Sequence, residues 1–304
     1  MSDIIATIWD FDKTLISGYM QEPLFAEYNI DSKEFWAENK KRIKALEKSG
    51  LMVNPDTFYL NILLQYVREG KLKGLNNEKL KTYGNKQEFI PGVLELFEYI
   101  CDLPKKNPRY QEEGIIFENY IVSSGLKKII EGSPLMKFVK NVWGCEFSES
   151  KNPLTGKLEI SDIAYSIDNT TKTRALFEIN KGVNIKDLNI DVNTALPEDK
   201  RRIHFPNMIY IADGPSDIPA FSVINQKQGS TFAVYPRGKS DSMNQIDKMR
   251  ADGRIQMYAE ANFTKDSTAY MWITSKLKSK ADAIIQNRKK AYQIYGKGTP
   301  DHLV

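Results

Sequence analysis

The sequence predicts an α/β protein with a doubly wound, mainly parallel, Rossmann-like sheet and an inserted α-helical domain. After residue 89, runs of β-branched and aromatic residues alternate with amphipathic segments, as in strand–helix–strand units. Between about residues 18 and 87, apolar residues recur at helical spacing instead. Three predicted strands end at Asp10, Ser123 and Asp213. Because ligands bind beyond the carboxyl ends of such strands, we expect these residues to mark a site.

The first half of the chain supplies one strand and most of the inserted helices. The run "IIATIW" (4–9) predicts a buried strand. Amphipathic helices are predicted in "EPLFAEYNI", "SKEFWAENKKRIKALEKSG" and "PDTFYLNILLQYVREGKLKG". The segment "IPGVLELFEYI" (90–100) begins another helix, with Pro91 in its first turn. The polar segment "NPRYQEEG" predicts a loop.

The second half supplies the remaining strands. "IIFENYIVSSG" predicts a strand ending at Ser123, and "NVWGCEF" (141–147) predicts another. "NPLTGKLEI" predicts a hairpin that turns near Thr155–Gly156, and "TKTRALFEINKG" a helix that stops at Gly182. Further strands are predicted at 207–214 and 230–236. Insertions are expected near 104–117 and 183–206, and a helical extension over 239–304.

The composition is that of an ordinary globular protein. The 304 residues are 41% hydrophobic and 27% charged. The net charge of +4 is too small to indicate nucleic-acid or membrane binding by itself. Cys101 and Cys145, the only cysteines, are typical of free thiols in a reducing compartment. With no signal-peptide pattern and no apolar run of about 20 residues, we expect a cytoplasmic protein.

The stretch "WDFDKTL" places two carboxylates directly after the first strand. Asp10 is ionised at neutral pH and available as a nucleophile. If the backbone stays extended, Asp12 projects to the same side and could move a proton. Asp213 would add a third carboxylate, and three converging carboxylates call for a hard cation such as Mg²⁺. His204 and His302, the only histidines, lie near no strand end, which argues against a histidine-rich zinc site.

Two further segments could bind an anion. "VSSGLKKII" offers the hydroxyls of Ser123 and Ser124 and the backbone N–H groups of a helix start. Lys172 opens the helix "KTRALFEI" and could supply a positive charge to a phosphate oxygen. Each part has a plainer explanation, as a turn, a helix cap or a surface lysine. Their order and their shared place at strand ends favour phosphoryl transfer chemistry.

These motifs resemble those of the haloacid dehalogenase superfamily of phosphohydrolases. "DFDKTL" matches the signature D-x-D-x-T as Asp10, Asp12 and Thr14, and "YIVSSG" resembles the second motif. "KTRALFEINKG" resembles the third motif, and "IYIADGPSDIPAF" the fourth, with Asp213 and Asp217. The resemblance covers about 1–15 and 89–236, with all four motifs in family order.

The resemblance implies a role for each residue. Asp10 would become phosphorylated, and Asp12 would protonate the leaving group and then activate water. Mg²⁺ would be held by the Asp10 side chain, the Asp12 carbonyl and the Asp213 carboxylate, with Asp217 behind them. The expected phosphate- and substrate-binding residues are Thr14, Ser123, Ser124, Gly125 and Lys172. The presence of Asp12 favours phosphate-ester hydrolysis over carbon–halogen cleavage.

The placement of residues 16–88 resembles the C1 cap of this superfamily, a helical lid that selects substrates. The core would then comprise 1–15 and 89–304. "SSG" and "ADGPSD" are similar to the phosphoserine-phosphatase-like subgroup. That subgroup carries a substrate-binding glutamate where this chain has Tyr19, and Glu22 lies three residues too late. Recognition of serine is therefore not carried over.

Three functions remain open at this point. The leading hypothesis is a Mg²⁺-dependent phosphatase that acts on a small phosphorylated metabolite. A phosphotransferase or phosphomutase would use the same four motifs. A module that binds nucleic acid or protein without catalysis is disfavoured by the intact Asp10, Asp12, Lys172 and Asp213. The identity of the substrate and the oligomeric state are not predicted.

Overall fold

A seven-stranded sheet forms the core in the computed structural model, which describes residues 3–183 and 190–296. The strands are β1 (Ile4–Trp9), β2 (Ile116–Leu126), β3 (Val139–Lys151), β4 (Leu158–Tyr165), β5 (Met208–Ala212), β6 (Ser230–Tyr235) and β7 (Met257–Glu260). Their order is β4-β3-β2-β1-β5-β6-β7, and every pair is parallel except the β3–β4 hairpin. This confirms the predicted fold class.

Helices flank the sheet and fill the insertion between β1 and β2. They are α1 (Glu22–Glu27), α2 (Ser32–Lys48), α3 (Tyr59–Arg68), α4 (Asn77–Thr82), α5 (Val93–Lys106), α6 (Pro108–Glu112), α7 (Lys127–Glu131), α8 (Thr171–Lys181), α9 (Ile218–Gln226), α10 (Ser240–Ala251) and α11 (Thr268–Gly296). Helices α5 and α8 pack against β2, α9 against β5 and β6, and α11 against β7 and β1. No helix within the described ranges has an apolar stretch long enough to cross a membrane.

Strand β1 lies at the centre of the sheet and sets the position of the site. It pairs in parallel with β2 on one side and β5 on the other. Ile5, Ile8 and Trp9 are fully buried, as expected for a strand covered on both faces. Because β1 and β5 run in the same direction, Asp10 and Asp213 follow them at the same edge of the sheet.

The inserted helices have their own apolar centre, and α4 contacts the core at α7. The rings of Phe25 and Phe35 lie 4.6 Å apart, and Phe35 meets Tyr66 edge to face. Close to the core, a Cβ on Gly132 would lie 1.8 Å from the carbonyl oxygen of Lys81. The last turn of α4 and the residue after α7 can therefore approach this closely only because glycine stands at position 132.

The β3–β4 hairpin provides a second attachment for the inserted helices. The N–H of Ile160 donates to the carbonyl of Leu75 at 2.9 Å. The N–H of Gly74 donates to the carboxylate of Glu159 at 2.8 Å. The predicted hairpin thus exists, and it ties the end of the insertion to the core.

Several predicted boundaries are wrong. Pro91 does not lie in the first turn of α5, because the helix begins at Val93 after Gly92 takes a φ of +85°. The predicted loop "NPRYQEEG" contains the short helix α6. Strand β2 does not end at Ser123 but continues to Leu126. The C-terminal extension is not only helical, since it contributes β7 to the sheet.

Two predicted features lie partly outside the described residues. Of the predicted insertion at 183–206, residues 184–189 are not described, and the remainder contains short 3-10 turns at Glu198–Lys200 and Phe205–Asn207. Of the extension, 297–304 lie outside the described ranges. Helix α8 ends as predicted, with Gly182 in the left-handed conformation that closes many helices.

Candidate active site

Asp10 is held at the end of β1 by the neighbouring strand. Its backbone N–H donates to the carbonyl of Ile211 in β5 at 2.9 Å. Its side chain is almost fully buried. Burial raises the pKa of Asp10 well above its usual range, although the nearby ammonium of Lys172 acts in the opposite direction. A carboxylate in such a place needs positive charge to remain ionised.

Lys172 supplies part of that charge from the first turn of α8. Its Nζ donates to Asp10 Oδ1 at 2.9 Å and to Asp217 Oδ1 at 2.7 Å, and the lysine is only 1% exposed. Burial alone would lower the pKa of Lys172, but Asp10 and Asp217 raise it above its ordinary value. The lysine is therefore a fixed cation that joins two carboxylates.

Asp217 accepts three hydrogen bonds. Besides Lys172, it accepts from the hydroxyl of Tyr210 at 2.5 Å and from that of Ser216 at 2.9 Å. The residue is fully buried. With three donors on its two oxygens, Asp217 is well placed to hold Lys172 in position beside Asp10.

Asp12 lies where it could carry a proton. One carboxylate oxygen accepts from the backbone N–H of Met20 at 3.0 Å. Burial raises the pKa of Asp12 to about 7, even though this hydrogen bond acts to lower it. A pKa near neutrality suits a group that must both give and take a proton.

Three carboxylates approach closely enough to share a cation. One oxygen from each of Asp10, Asp213 and Asp217 lies within 4.8 Å of the others. Burial and the neighbouring Asp217 raise the pKa of Asp213 to about 6. Such clustered carboxylate oxygens fit the ligand preference of Mg²⁺. Since Asp217 already accepts three hydrogen bonds, Asp10 and Asp213 are the better candidates for direct ligands.

A cavity of about 450 Å³ opens over these residues. Its core side includes Asp10, Asp12, Lys172 and Asp213. Its other walls come from the insertion and from the C-terminal part of the chain, with the lining residues Tyr19, Gln21, Trp36, Pro55, Asp56, Tyr59, Pro236, Ser242 and Gln245. The structure thus brings together in one cavity four residues from the first, third and fourth motifs.

The predicted phosphate-binding residues divide into two groups. Ser124 and Gly125 line the cavity, whereas Ser123 and Thr14 are buried and are not among its lining residues. Ser123 Oγ accepts from the N–H of Gly125 at 3.0 Å. A Cβ on Gly125 would lie 2.1 Å from the Cε of Met20, so the Met20 side chain would have to move to admit one. The binding roles of these residues stay predictions.

Lys13 is a cavity residue that the sequence did not single out. Its Nζ donates to the hydroxyl of Tyr19 at 2.7 Å and lies over the same ring. The ring of Tyr19 packs 4.9 Å from that of Trp36, which in turn lies 5.7 Å from Tyr59. Aromatic residues at helical spacing look the same in sequence whether they face a core or a cavity, so no sequence signal identified them.

Two hydrogen bonds join the insertion to the core beside the cavity, which Asp56 and Asn169 line. Asn54 Nδ2 donates to Asp168 Oδ2 at 2.7 Å. The backbone N–H of Asn169 donates to Asp56 Oδ2 at 3.1 Å. The loop before α3 is thereby joined to the loop before α8.

Comparisons with known proteins identify one clear sequence relative. The chain is 37% identical over 288 residues to an uncharacterized protein of Borreliella burgdorferi, covering 90% of this chain and 97% of the relative. No protein-family model matches the chain.

Solved structures show the fold at low identity. A HAD-family hydrolase from Salmonella enterica serovar Typhi aligns with a TM-score of 0.50 and 14% identity, over 86% of this chain and 68% of that one. A probable phosphoserine phosphatase from Vibrio cholerae aligns with a TM-score of 0.51 and 14% identity, over 93% and 67% of the two chains.

Proposed function

The chain belongs to one family with the Borreliella burgdorferi protein and has the fold of the haloacid dehalogenase superfamily, and from this premise we propose that it is a Mg²⁺-dependent phosphatase acting on small phosphate monoesters. The observation that carries the proposal is the buried bridge from Lys172 to Asp10 and Asp217, beside Asp12 and Asp213, at the floor of a single cavity. These are the groups that phosphoryl transfer through a carboxylate nucleophile uses.

In the first step, an Asp10 oxygen attacks the phosphorus and the bond from phosphorus to the leaving oxygen breaks. Asp12 gives its proton to that oxygen, so an alcohol leaves and Asp10 carries the phosphoryl group. A pKa of about 7 is compatible with Asp12 holding the proton near neutral pH. Lys172 stabilises the negative charge of the phosphoryl group during transfer, and the lysine keeps its hydrogen bond to Asp217.

In the second step, Asp12 takes a proton from a water molecule that attacks the phosphorus. The acyl phosphate breaks, inorganic phosphate leaves, and Asp10 is restored. Mg²⁺, held by the side chains of Asp10 and Asp213 and the carbonyl of Asp12, would neutralise phosphate charge in both steps. The inserted helices would act as the lid that limits the entry of water and selects the alcohol.

Hydrolysis of p-nitrophenyl phosphate with and without Mg²⁺ tests this proposal. Asp10→Asn should lower kcat by about 10³-fold or more, because it removes the nucleophile. Asp162→Asn, on exposed strand β4, is the matched control and should retain the wild-type rate. A fully active Asp10→Asn variant would show that the nucleophile lies elsewhere. Adding acceptor sugars and comparing released phosphate with released alcohol separates hydrolysis from phosphoryl transfer.

A further inference from the structure

Lys13 occupies a backbone conformation that favours glycine. Its φ is +58°, in the left-handed region, where a residue with a Cβ is strained. Glycine could take this conformation freely. A strained lysine that lines a cavity points to a use for its side chain.

The ammonium of Lys13 has unused capacity to bind an anion. Its hydrogen bond goes to a neutral group, the hydroxyl of Tyr19. No carboxylate of the described part of the chain lies at ion-pair distance from it, whereas Lys172 pairs with two. Because an ammonium has three N–H donors, two remain for a ligand. Among the described residues that line the cavity, Lys13 and Lys172 are the cations.

The position of Lys13 relates it to the leaving group. Lys13 follows Asp12 directly in the chain and lines the same cavity, whereas Lys172 lies against the nucleophile Asp10. The hydroxyl of Tyr19 accepts a hydrogen bond from Lys13. The ring of Tyr19 packs against Trp36, which lines the cavity. Because Asp12 serves the leaving oxygen in the proposed reaction, Lys13 lies beside the leaving alcohol.

We propose that Lys13 binds an oxyanion carried by the leaving alcohol, so that preferred substrates are phosphate monoesters that also bear a carboxylate or a second phosphate. This assignment rests on the proposed phosphatase function. Tyr19 is the positioning residue, because its hydroxyl fixes the ammonium and its ring packs on Trp36. The cavity of about 450 Å³ is of a size that admits such small molecules.

Matched pairs of esters test the inference. 3-Phosphoglycerate and glycerol 3-phosphate differ by a carboxylate, and propane-1,3-diol bisphosphate and its monophosphate differ by a phosphate. The wild type should prefer the charged member of at least one pair. Lys13→Met should lower kcat/KM for that member about 10- to 100-fold more than for its partner, as expected for a lost charge-assisted hydrogen bond. The pair that responds identifies the oxyanion as carboxylate or phosphate.

Three further variants separate this role from a structural one. Lys40→Met, on the exposed side of α2, removes a lysine outside the cavity and should leave the preference unchanged. Lys13→Gly should be no less stable to heat than the wild type, because it relieves the strained backbone, yet should lose the preference. Tyr19→Phe keeps the ring and should weaken the preference by less than Lys13→Met. Equal losses for both members of a pair, or no wild-type preference, would overturn the inference.

Binding without turnover distinguishes failure of this inference from failure of the phosphatase proposal. Calorimetry in the presence of Mg²⁺ measures the binding of 3-phosphonopropionate and of propylphosphonate, whose tail is neutral. This measurement requires no reaction. The tighter binding of 3-phosphonopropionate should disappear in Lys13→Met. If that holds while no ester is hydrolysed, the phosphatase proposal fails and the oxyanion site stands. If hydrolysis occurs, the wild type prefers the charged member of neither ester pair and both phosphonates bind alike, the oxyanion site fails and the phosphatase proposal stands.

Discussion

Lys172 and Asp217 form an ion pair of 2.7 Å in which neither side chain is appreciably exposed to solvent. A buried pair of this kind contributes little net stability compared with apolar residues, but loss of one partner is costly. Its position beside Asp10 suggests that it is retained to place the ammonium. That relationship leads to the first of four predictions.

Asp217→Asn should impair both folding and catalysis, because Lys172 would keep Asp10 as its only carboxylate partner in the described structure. We expect the free energy of unfolding to fall by about 1–3 kcal/mol, because the buried donors of Lys172 and Tyr210 lose a charged acceptor. Urea denaturation measures this loss, and kcat on p-nitrophenyl phosphate should fall as well. Asp102→Asn breaks the surface pair with Lys105 and should change stability by about 0.5 kcal/mol or less. Equal effects of the two substitutions would contradict a positioning role for Asp217.

Asp12→Asn should trap the phosphorylated enzyme. p-Nitrophenolate leaves without needing a proton, so the first step can proceed, whereas water attack loses its base. Intact-protein mass spectrometry after mixing with p-nitrophenyl phosphate should detect one added phosphoryl group, absent from the double variant with Asp10→Asn. A phosphorylated species that survives in the double variant would place the nucleophile at another residue.

Mg²⁺ should raise the thermal stability of the wild type, since it binds the carboxylate cluster of the folded protein. At 100 times its dissociation constant, stabilisation should be about 2.7 kcal/mol, and EDTA should reverse it. Asp213→Asn should lose most of the shift in Tm. Asp56 is also a carboxylate of the cavity, but it accepts a hydrogen bond from Asn169 and does not belong to the carboxylate cluster. Asp56→Asn should therefore retain the Mg²⁺-dependent shift in Tm. Equal Mg²⁺ responses in the two variants would exclude Asp213 as a ligand.

Gly132→Ala should weaken the attachment of the inserted helices. The new Cβ would lie 1.8 Å from the Lys81 carbonyl oxygen, so the backbone must move. We expect the free energy of unfolding to fall by about 1–3 kcal/mol, as in other overpacked sites. Gly18→Ala has open space around the added methyl and serves as the control in the same denaturation experiment. If both variants unfold alike, the contact does not constrain the insertion.

The parts of the site that follow strands were predictable from the sequence. Asp10 and Asp213 come directly after apolar runs, and parallel topology brings the ends of β1 and β5 to one edge. The left-handed conformation of Lys13 has no signal in composition or spacing. The positions of Trp36 and Tyr59 in the cavity wall could not be predicted, because helical periodicity shows that a helix face is apolar but not what that face contacts.

The fold was predicted better for long elements than for short ones. Strand β7 has four residues within a polar tail, and α6 has five, so neither repeats its pattern often enough to be recognised in the sequence. The start of α5 was misplaced because Pro91 suits a first turn, whereas tertiary contact decided the boundary. A Cβ on Gly92 would lie 2.1 Å from the backbone of Phe263, far along the chain.

The two hydrogen bonds that join the insertion to the core beside the cavity, from Asn54 to Asp168 and from Asn169 to Asp56, have a kinetic consequence for large ligands. At about 1 kcal/mol each, they would make closed molecules outnumber open ones by roughly 30 to one. A ligand too large to pass while these bonds are made would exchange only through the minority of molecules in which they are broken, so its arrival and departure would both be slower by a similar factor. A bound molecule would then have a long residence time without being bound more tightly.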